Sequence, residues 1–515
     1  MCKLRTIAMY LPQFHEIEEN NTWWGKGYTD WTAVKAATPL FSGHNQPREP
    51  LNNDYYNLME RKTMERQAEL AKQYELDGFC FYHYYFKHGK KILEKPAENL
   101  LEWKDINMPF CFCWANQTWA RTWSNIPSKN VWADNFENIS KNEEKNGILL
   151  EQRYGREAEW KNHFEYLVPF FKDERYIKYL GKPVFLIYNP EEINSLAEMI
   201  KYWNKLAEEK EMKGIYVIGL NMLQEKNGVD AILFHAPAMY RNIKIFGKEV
   251  EKPRINGVLS CDYKELWENG IKLGRFPNSK TYYGAFTDYD DTPRRGKNGS
   301  FLREASLELY EKYLYKIMKK NRALGNEFQF INAFNEWGEG MYLEPDKKNG
   351  YSYLEITQRL KNKVNNEVDF DEFGNIPIFV QETKEIEKHE KYRIYMNLLD
   401  IWMNLREKNI RISKFLEKYE YKKVAIYGYG IFGKHLLTEL KEDNVDVRYI
   451  IDRRNNISDD EIKVCNIEEH LQNIDVIIIT PILDYEEIYK TIIKNNMDVS
   501  IISLKEIIDY LSPLV

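Results

Sequence analysis

No apolar run in the 515 residues approaches the eighteen or so needed to cross a bilayer. The opening Met-Cys-Lys-Leu-Arg-Thr-Ile-Ala-Met-Tyr has no stretch of signal-peptide length. Cysteine is scarce: six at irregular positions make no disulfide framework, and Cys111 and Cys113, alternating along one expected strand, cannot pair without distorting it. They read as reduced thiols, and the expected setting is cytoplasmic, with no stable membrane insertion. His-Glu-X-X-His and clustered Cys/His patterns are missing, so neither a catalytic zinc nor any other metal is expected. Charge of one sign is missing too. The net charge of −6 comes from 73 basic and 79 acidic residues interspersed along the chain, which excludes the usual signature of a nucleic-acid or anionic-membrane partner. Nothing specifies an oligomeric state.

Aromatic residues, by contrast, are abundant. Thirteen Trp and 36 Tyr exceed what a core requires, and amphipathic rings at a surface are typical of carbohydrate sites as well as protein interfaces. The length implies two or three domains. The first three-quarters repeats one device, an apolar run that finishes in polar or aromatic residues, then a loop and usually a helical pattern. Eight such runs are present: Thr6–Tyr10, ending in Gln13 and His15; Gly78–Tyr82, ending in His83; Pro109–Trp114, ending in Asn116; Pro183–Tyr188; Gly214–Leu220; Ala231–Phe234, ending in His235; Thr281–Phe286; and Phe328–Phe334. Helical patterns at Met64–Tyr74, Trp160–Phe171, Asn194–Lys210 and Phe301–Lys319 complete the alternation. The expected architecture is α/β, a (β/α)8 TIM barrel with its site at the C-terminal ends of the strands.

The last run opens into Asn335-Glu-Trp-Gly-Glu-Gly340. Glu336 and Glu339 are three residues apart with glycines interleaved, so a sharp turn can aim both into one cleft. Carboxylates held that way repel and one pKa rises, which suits acid–base work on a glycosidic bond: one carboxyl protonated for the leaving oxygen, one ionised to assist attack. The alternative is a solvated turn. Trp337 between the acids suits stacking on a sugar face. Residues 20–48 are too long and aromatic for a simple connector, and their tryptophans, Trp24 among them, either pack as a lid or stack on sugar. Residues 114–123 interleave three tryptophans with Asn116, Gln117 and Arg121, a pattern fit for binding hydroxyls and ring faces. His83 and His235, each ending a strand, line the site or serve as core hydrogen bonders. Asp288, Asp290 and Asp291 match no metal loop well, and Arg294 and Arg295 either hold an anionic group or face solvent.

Tyr10-Leu-Pro-Gln-Phe-His15, residues 23–31, residues 39–47, Tyr82-His-Tyr-Tyr85, Trp114-Ala-Asn116, residues 292–296 and residues 335–340, in one order over roughly residues 5–360, resemble the WbsX-type proteins. These are glycoside hydrolase family 99-like domains associated with bacterial O-antigen and capsule (lipopolysaccharide and polysaccharide) biosynthesis. The resemblance implies Glu336 as the base that deprotonates the sugar's own 2-hydroxyl and Glu339 as the general acid. Tyr10 and Tyr188 are implied as active-site contacts; Asn335, Trp114 and Asn116 are candidates from position alone. Gly338 stands where the family 99 mannosidases carry a histidine, so neither mannose specificity nor hydrolysis follows from the resemblance alone. The expected function is glycoside hydrolysis or transglycosylation on a bacterial surface polysaccharide. A glycosyltransferase using a nucleotide-sugar donor is the alternative. Either takes an oligo- or polysaccharide, and the barrel needs no cofactor.

The barrel domain is expected over residues 1–362, a helical linker over 363–420 and a small Rossmann-like parallel α/β domain over 421–515. The last rests on Val424-Ala-Ile-Tyr-Gly-Tyr-Gly-Ile-Phe-Gly433, a strand running into a Gly-X-Gly-X-X-Gly turn and a helix. Gly428, Gly430 and Gly433 would let backbone N–H groups approach a phosphate, and Asp452 would accept a ribose hydroxyl. A nucleotide or nucleotide-sugar is the expected ligand there, a scaffolding unit without ligand the alternative.

Overall fold

The computed structural model describes residues 3–120, 148–243, 250–379, 383–454, 459, 461–466, 472–494 and 499–512. Arg121 and Trp123 of the second aromatic segment lie outside them. The chain divides into two compact units, Met1–Gln381 and Glu382–Val515.

In the first unit the eight apolar runs form strands Arg5–Tyr10 (β1), Gly78–Tyr85 (β2), Phe110–Trp114 (β3), Lys182–Ile187 (β4), Tyr216–Leu220 (β5), Ala231–Phe234 (β6), Lys280–Tyr283 with Ala285–Phe286 (β7) and Phe328–Asn332 (β8). All neighbours pair in parallel, β1 with both β2 and β8. The two halves of β7 close the ring: Lys280–Tyr283 pairs with β6 and Ala285–Phe286 with β8. The step between them needs Gly284, where a Cβ would lie 2.9 Å from the Phe234 carbonyl oxygen. The result is a (β/α)8-type barrel with strands buried on both faces, as a parallel sheet wrapped by helices must be.

Helices Arg61–Gln73, Glu157–Lys172, Leu196–Glu209, Leu307–Ala323 and Ser352–Asn366 pack outside it. Leu196, Met199, Ile200, Trp203 and Ala207 show how: spaced three or four apart, they make one buried stripe. The connection from β5 to β6, residues 221–230, is a loop without a helix. One expectation changes. Phe301, expected in a helix, lies instead in strand Ser300–Arg303, which pairs with Val258–Asp262. The helix begins after Ser306, whose hydroxyl accepts the Leu309 N–H.

Of the residues read as a linker, 363–379 belong to the first unit, where Phe370 and Phe373 are buried and the Phe379 ring packs on Phe234 and Phe276. The helices Thr383–Glu407 and Ile412–Lys418 belong to the second. Its sheet is Lys423–Tyr427 (β9), Asp446–Ile451 (β10), Lys463–Cys465 (β11), Val476–Ile479 (β12) and Ser500–Ser503 (β13). It is parallel throughout, in the order β11-β10-β9-β12-β13, the arrangement of a Rossmann-like half.

Candidate active site

A cavity of about 400 Å³ opens at the C-terminal ends of the barrel strands, and both Glu336 and Glu339 line it. The chain after β8 aims them. Asn335–Glu336 pairs antiparallel with Met341–Tyr342 around the single turn Trp337–Glu339, and Gly340 leaves that turn at φ +66°, a left-handed conformation that favours glycine. The Glu339 N–H donates to Glu336 Oε1 at 3.2 Å.

Arg294 gathers the acids. Its guanidinium donates to Glu336 Oε1 at 2.9 Å, to Glu339 Oε1 at 3.0 Å and to Asp30, which opens helix Asp30–Ala36. Glycine at 338 makes room for it: a Cβ there would lie 2.5 Å from Arg294 Nε and 2.6 Å from Cζ. Three carboxylates therefore share one cation. Burial pushes both glutamates above the usual carboxylate range, Arg294 opposes that, and the Glu339 charge raises Glu336 further.

Of the other expected site residues, Trp24, Tyr188 and His235 line the cavity. Burial holds His235 down at about 4 and Tyr188 up at about 12. The Tyr82 hydroxyl lies 3.4 Å from His235 Nε2. The remaining expected residues lie outside that lining, and all but His15 have side-chain polar atoms engaged elsewhere. Tyr10 is fully buried, its hydroxyl donating to Gln67 at 2.6 Å on the helix behind β1. His83 pairs with His163 at 2.8 Å on helix Glu157–Lys172, the core hydrogen-bonding role rather than the site-lining one. Trp114 donates to the Tyr85 carbonyl and packs on His163. Asn116 ties strand ends together, accepting the Asn189 N–H at 2.7 Å and donating to its carbonyl at 2.9 Å. Asn335 does the same for both backbone groups of Leu11. Trp337 stacks on Tyr342 at 3.8 Å and donates to Glu344, so its ring is not a sugar platform. His15 is buried as well.

Residues 20–48 divide between the two alternatives. Trp23 and Trp31 are buried in the manner of a lid, while Trp24 and Tyr28 line the cavity. The aspartate trio is committed to side chains and backbone: Asp288 to Arg48, Asp290 to His44 and Gln46, and Asp291 to Tyr289, Arg295 and the Ser300 N–H. No group of three or more potential metal ligands is found among the described residues. Sequence reasoning missed Asp30, Tyr82, Tyr84, Arg241 and Tyr289 in the lining. For the tyrosines a signal existed, since Tyr82 and Tyr84 share one face of β2 and His83 points the other way.

In the second unit Gly428 has φ +92°, and a Cβ at Gly433 would lie 2.0 Å from the Gly428 carbonyl oxygen, the close helix–strand approach that its glycine permits. Gly430 precedes helix Ile431–Glu442 with open space around it. Asp452 already accepts the N–H groups of Tyr429 and Arg454 and the Arg454 guanidinium, which hold it at about 2.

Residues 6–357 match the family model described as glycosyltransferase WbsX, and residues 418–503 match that of the NADPH-binding domain of acetohydroxy acid isomeroreductase. The uncharacterized protein WxcX of Xanthomonas campestris pv. campestris, in two strains, is 30% identical over 361 residues, which are 68% of this chain and 49% of that protein. The chain thus spans about half the length of these curated relatives. Among solved structures, a family 99 endo-α-mannosidase from Bacteroides thetaiotaomicron is 15% identical, with a TM-score of 0.43 over 71% of this chain and 98% of that one. A glycoside hydrolase-like protein gives 13% identity and a TM-score of 0.42 over 72% of this chain and 95% of that one.

Proposed function

The chain belongs to the WbsX glycosyltransferase family, and we propose on that footing that it is a carbohydrate-active enzyme working at a glycosidic bond of a bacterial surface polysaccharide through Glu336 and Glu339. The observation that carries this reading is the sharing of Arg294 by two carboxyls in a cavity lined by aromatic rings. With Asp30 also on that guanidinium, three carboxylates face one cation at close range, and one proton is retained among them. In this reading Glu339 holds the proton and Glu336 is ionised, accepting from Arg294 and the Glu339 N–H, against the burial and the Glu339 charge that raise it. Glu336 then takes the proton of the attacking hydroxyl as its oxygen bonds to the anomeric carbon; Glu339 gives its own to the leaving oxygen as that C–O bond breaks. Trp24, Trp119 and Tyr188 supply faces for sugar rings.

Glu336→Gln and Glu339→Gln should each abolish turnover while leaving saccharide binding within a few-fold of the parent. Full activity in both variants would end the assignment.

A second reading is transfer from a nucleotide-sugar, favoured by the family's description and by the second unit's likeness to a nucleotide-binding domain, where the turn at Gly428, Gly430 and Gly433 would take the phosphate. Incubation with bacterial polysaccharide alone, and then with nucleotide-sugars, separates the two. Reducing ends released without nucleotide favour hydrolysis; product only with donor favours transfer.

A further inference from the structure

We infer that the cavity has an anion-binding end, built by Arg241 and Arg295 beside Glu339, and that the substrate carries a phosphate or carboxylate there. This rests on the saccharide reading and narrows its substrate to an anionic one. Four acids and three arginines line the cavity, but they are not evenly matched. Arg294 is engaged by Asp30, Glu336 and Glu339, which leaves Asp291 as the remaining acid opposite two guanidiniums. Asp291 is paired with Arg295 at 3.2 Å and also accepts the Tyr289 hydroxyl and the Ser300 N–H.

Arg241 is different. It comes from the short helix Ala238–Asn242 after β6, lies 5.6 Å from the centre of the Tyr289 ring, and donates to Ser300 Oγ at 3.4 Å. No carboxylate among the described residues forms an ion pair with it, although it is half-buried in the cavity wall. Asp291, the acid whose charge reaches it, is already paired with Arg295, so Arg241 lacks a direct ion pair among the described residues and an anion entering the cavity would supply one. Tyr289 and Asp291 join the two arginines into one contiguous edge.

The edge adjoins the reacting end. Tyr188, chiefly raised by burial, feels the Glu339 charge, which raises it further, and Arg241, which lowers it. Arg295 likewise acts on Glu339. An anion seated there would belong to the sugar or group that Glu339 protonates. A planar guanidinium suits either a phosphate or a carboxylate, two-pronged in both cases.

The test is titration of the 515-residue chain, following the fluorescence of Trp24 and Trp119, with glucose, glucuronate, glucose 1-phosphate and inorganic pyrophosphate. One of the anionic probes should bind ten- to a hundredfold more tightly than glucose, and Arg241→Gln should remove that preference, bringing the anionic and neutral sugars to within a few-fold of one another. Arg241→Lys, which keeps charge but not the fork, should retain part of it. Preference for glucuronate assigns an acidic sugar; preference for the phosphates assigns a glycosyl phosphate or diphosphate. Binding of the anions no tighter than glucose, or unchanged in Arg241→Gln, overturns the inference and leaves the saccharide reading standing. Pyrophosphate bound through Arg241 with no affinity for any sugar would instead keep the anion site and overturn the saccharide reading.

Discussion

A methyl group at residue 338 would sit 2.5 Å from Arg294 Nε, with the turn's backbone leaving it nowhere to go. Gly338→Ala should therefore displace the guanidinium and cost about 1–3 kcal/mol, read as a lowered urea midpoint. Removing the cation is worse. Arg294→Met leaves Asp30, Glu336 and Glu339 without the guanidinium they share, a loss of about 3–5 kcal/mol. The sign of its pH dependence follows from Arg294's effect on the glutamates, which is to lower them. Without it their folded-state pKa values climb further above the unfolded ones, so the unfolded chain releases protons first as pH rises. The deficit of Arg294→Met should thus be larger at pH 8 than at pH 5, and equal deficits in urea titrations at the two values would contradict the shared-cation account. None of this partnership is legible in spacing: Thr292-Pro-Arg-Arg295 reads as a turn, and only closure of the barrel between β7 and β8 brings residue 294 to residues 336 and 339.

At the scale of strands and helices, the sequence was legible in its periods and less so in its faces. All eight apolar runs became barrel strands because each is long enough and apolar enough to be buried on both sides. What that same double burial erases is the alternation that would tell inside from outside. Hence His83 and Trp114 read as site residues although both face helix Glu157–Lys172, while their strand neighbours Tyr82 and Ala115 line the cavity. The helix-facing pair has a measurable consequence. Burial holds His83 neutral down to about pH 3, and His163 is lowered too, by burial and then by His83. A folded-state pKa below the unfolded 6.5 gives stability that is whole above pH 6.5 and falls away as acid protonates the unfolded chain first. Between pH 6.5 and 5 the histidine at 83 accounts for about 2 kcal/mol of that fall. His83→Gln keeps a hydrogen-bonding group without the titration, and its loss of stability over this interval should be smaller than the parent's by that amount, measured by urea unfolding at the two pH values.

For the whole molecule, the separate cores of Met1–Gln381 and Glu382–Val515 imply two cooperative transitions rather than one. The stretch rich in Glu, Lys and Asn that composition marks as a linker contains buried residues of both units, Phe370 in the core of the first and Leu398, Trp402 and Leu405 in that of the second. Gly433 offers a way to address one unit at a time. A Cβ there collides at 2.0 Å with the Gly428 carbonyl oxygen, a backbone atom that cannot swing aside as a side chain would. Gly433→Ala should therefore force helix Ile431–Glu442 off β9, and with it Leu436, Leu437 and Leu440, which seal the sheet against Trp402 and Ile412. In calorimetry one transition should move down by several degrees or vanish while the other keeps its midpoint. Limited proteolysis should then cut within residues 383–515 and spare the barrel. If both transitions moved together, the two cores would be one cooperative system, and the second unit could no longer be treated as a domain with its own stability.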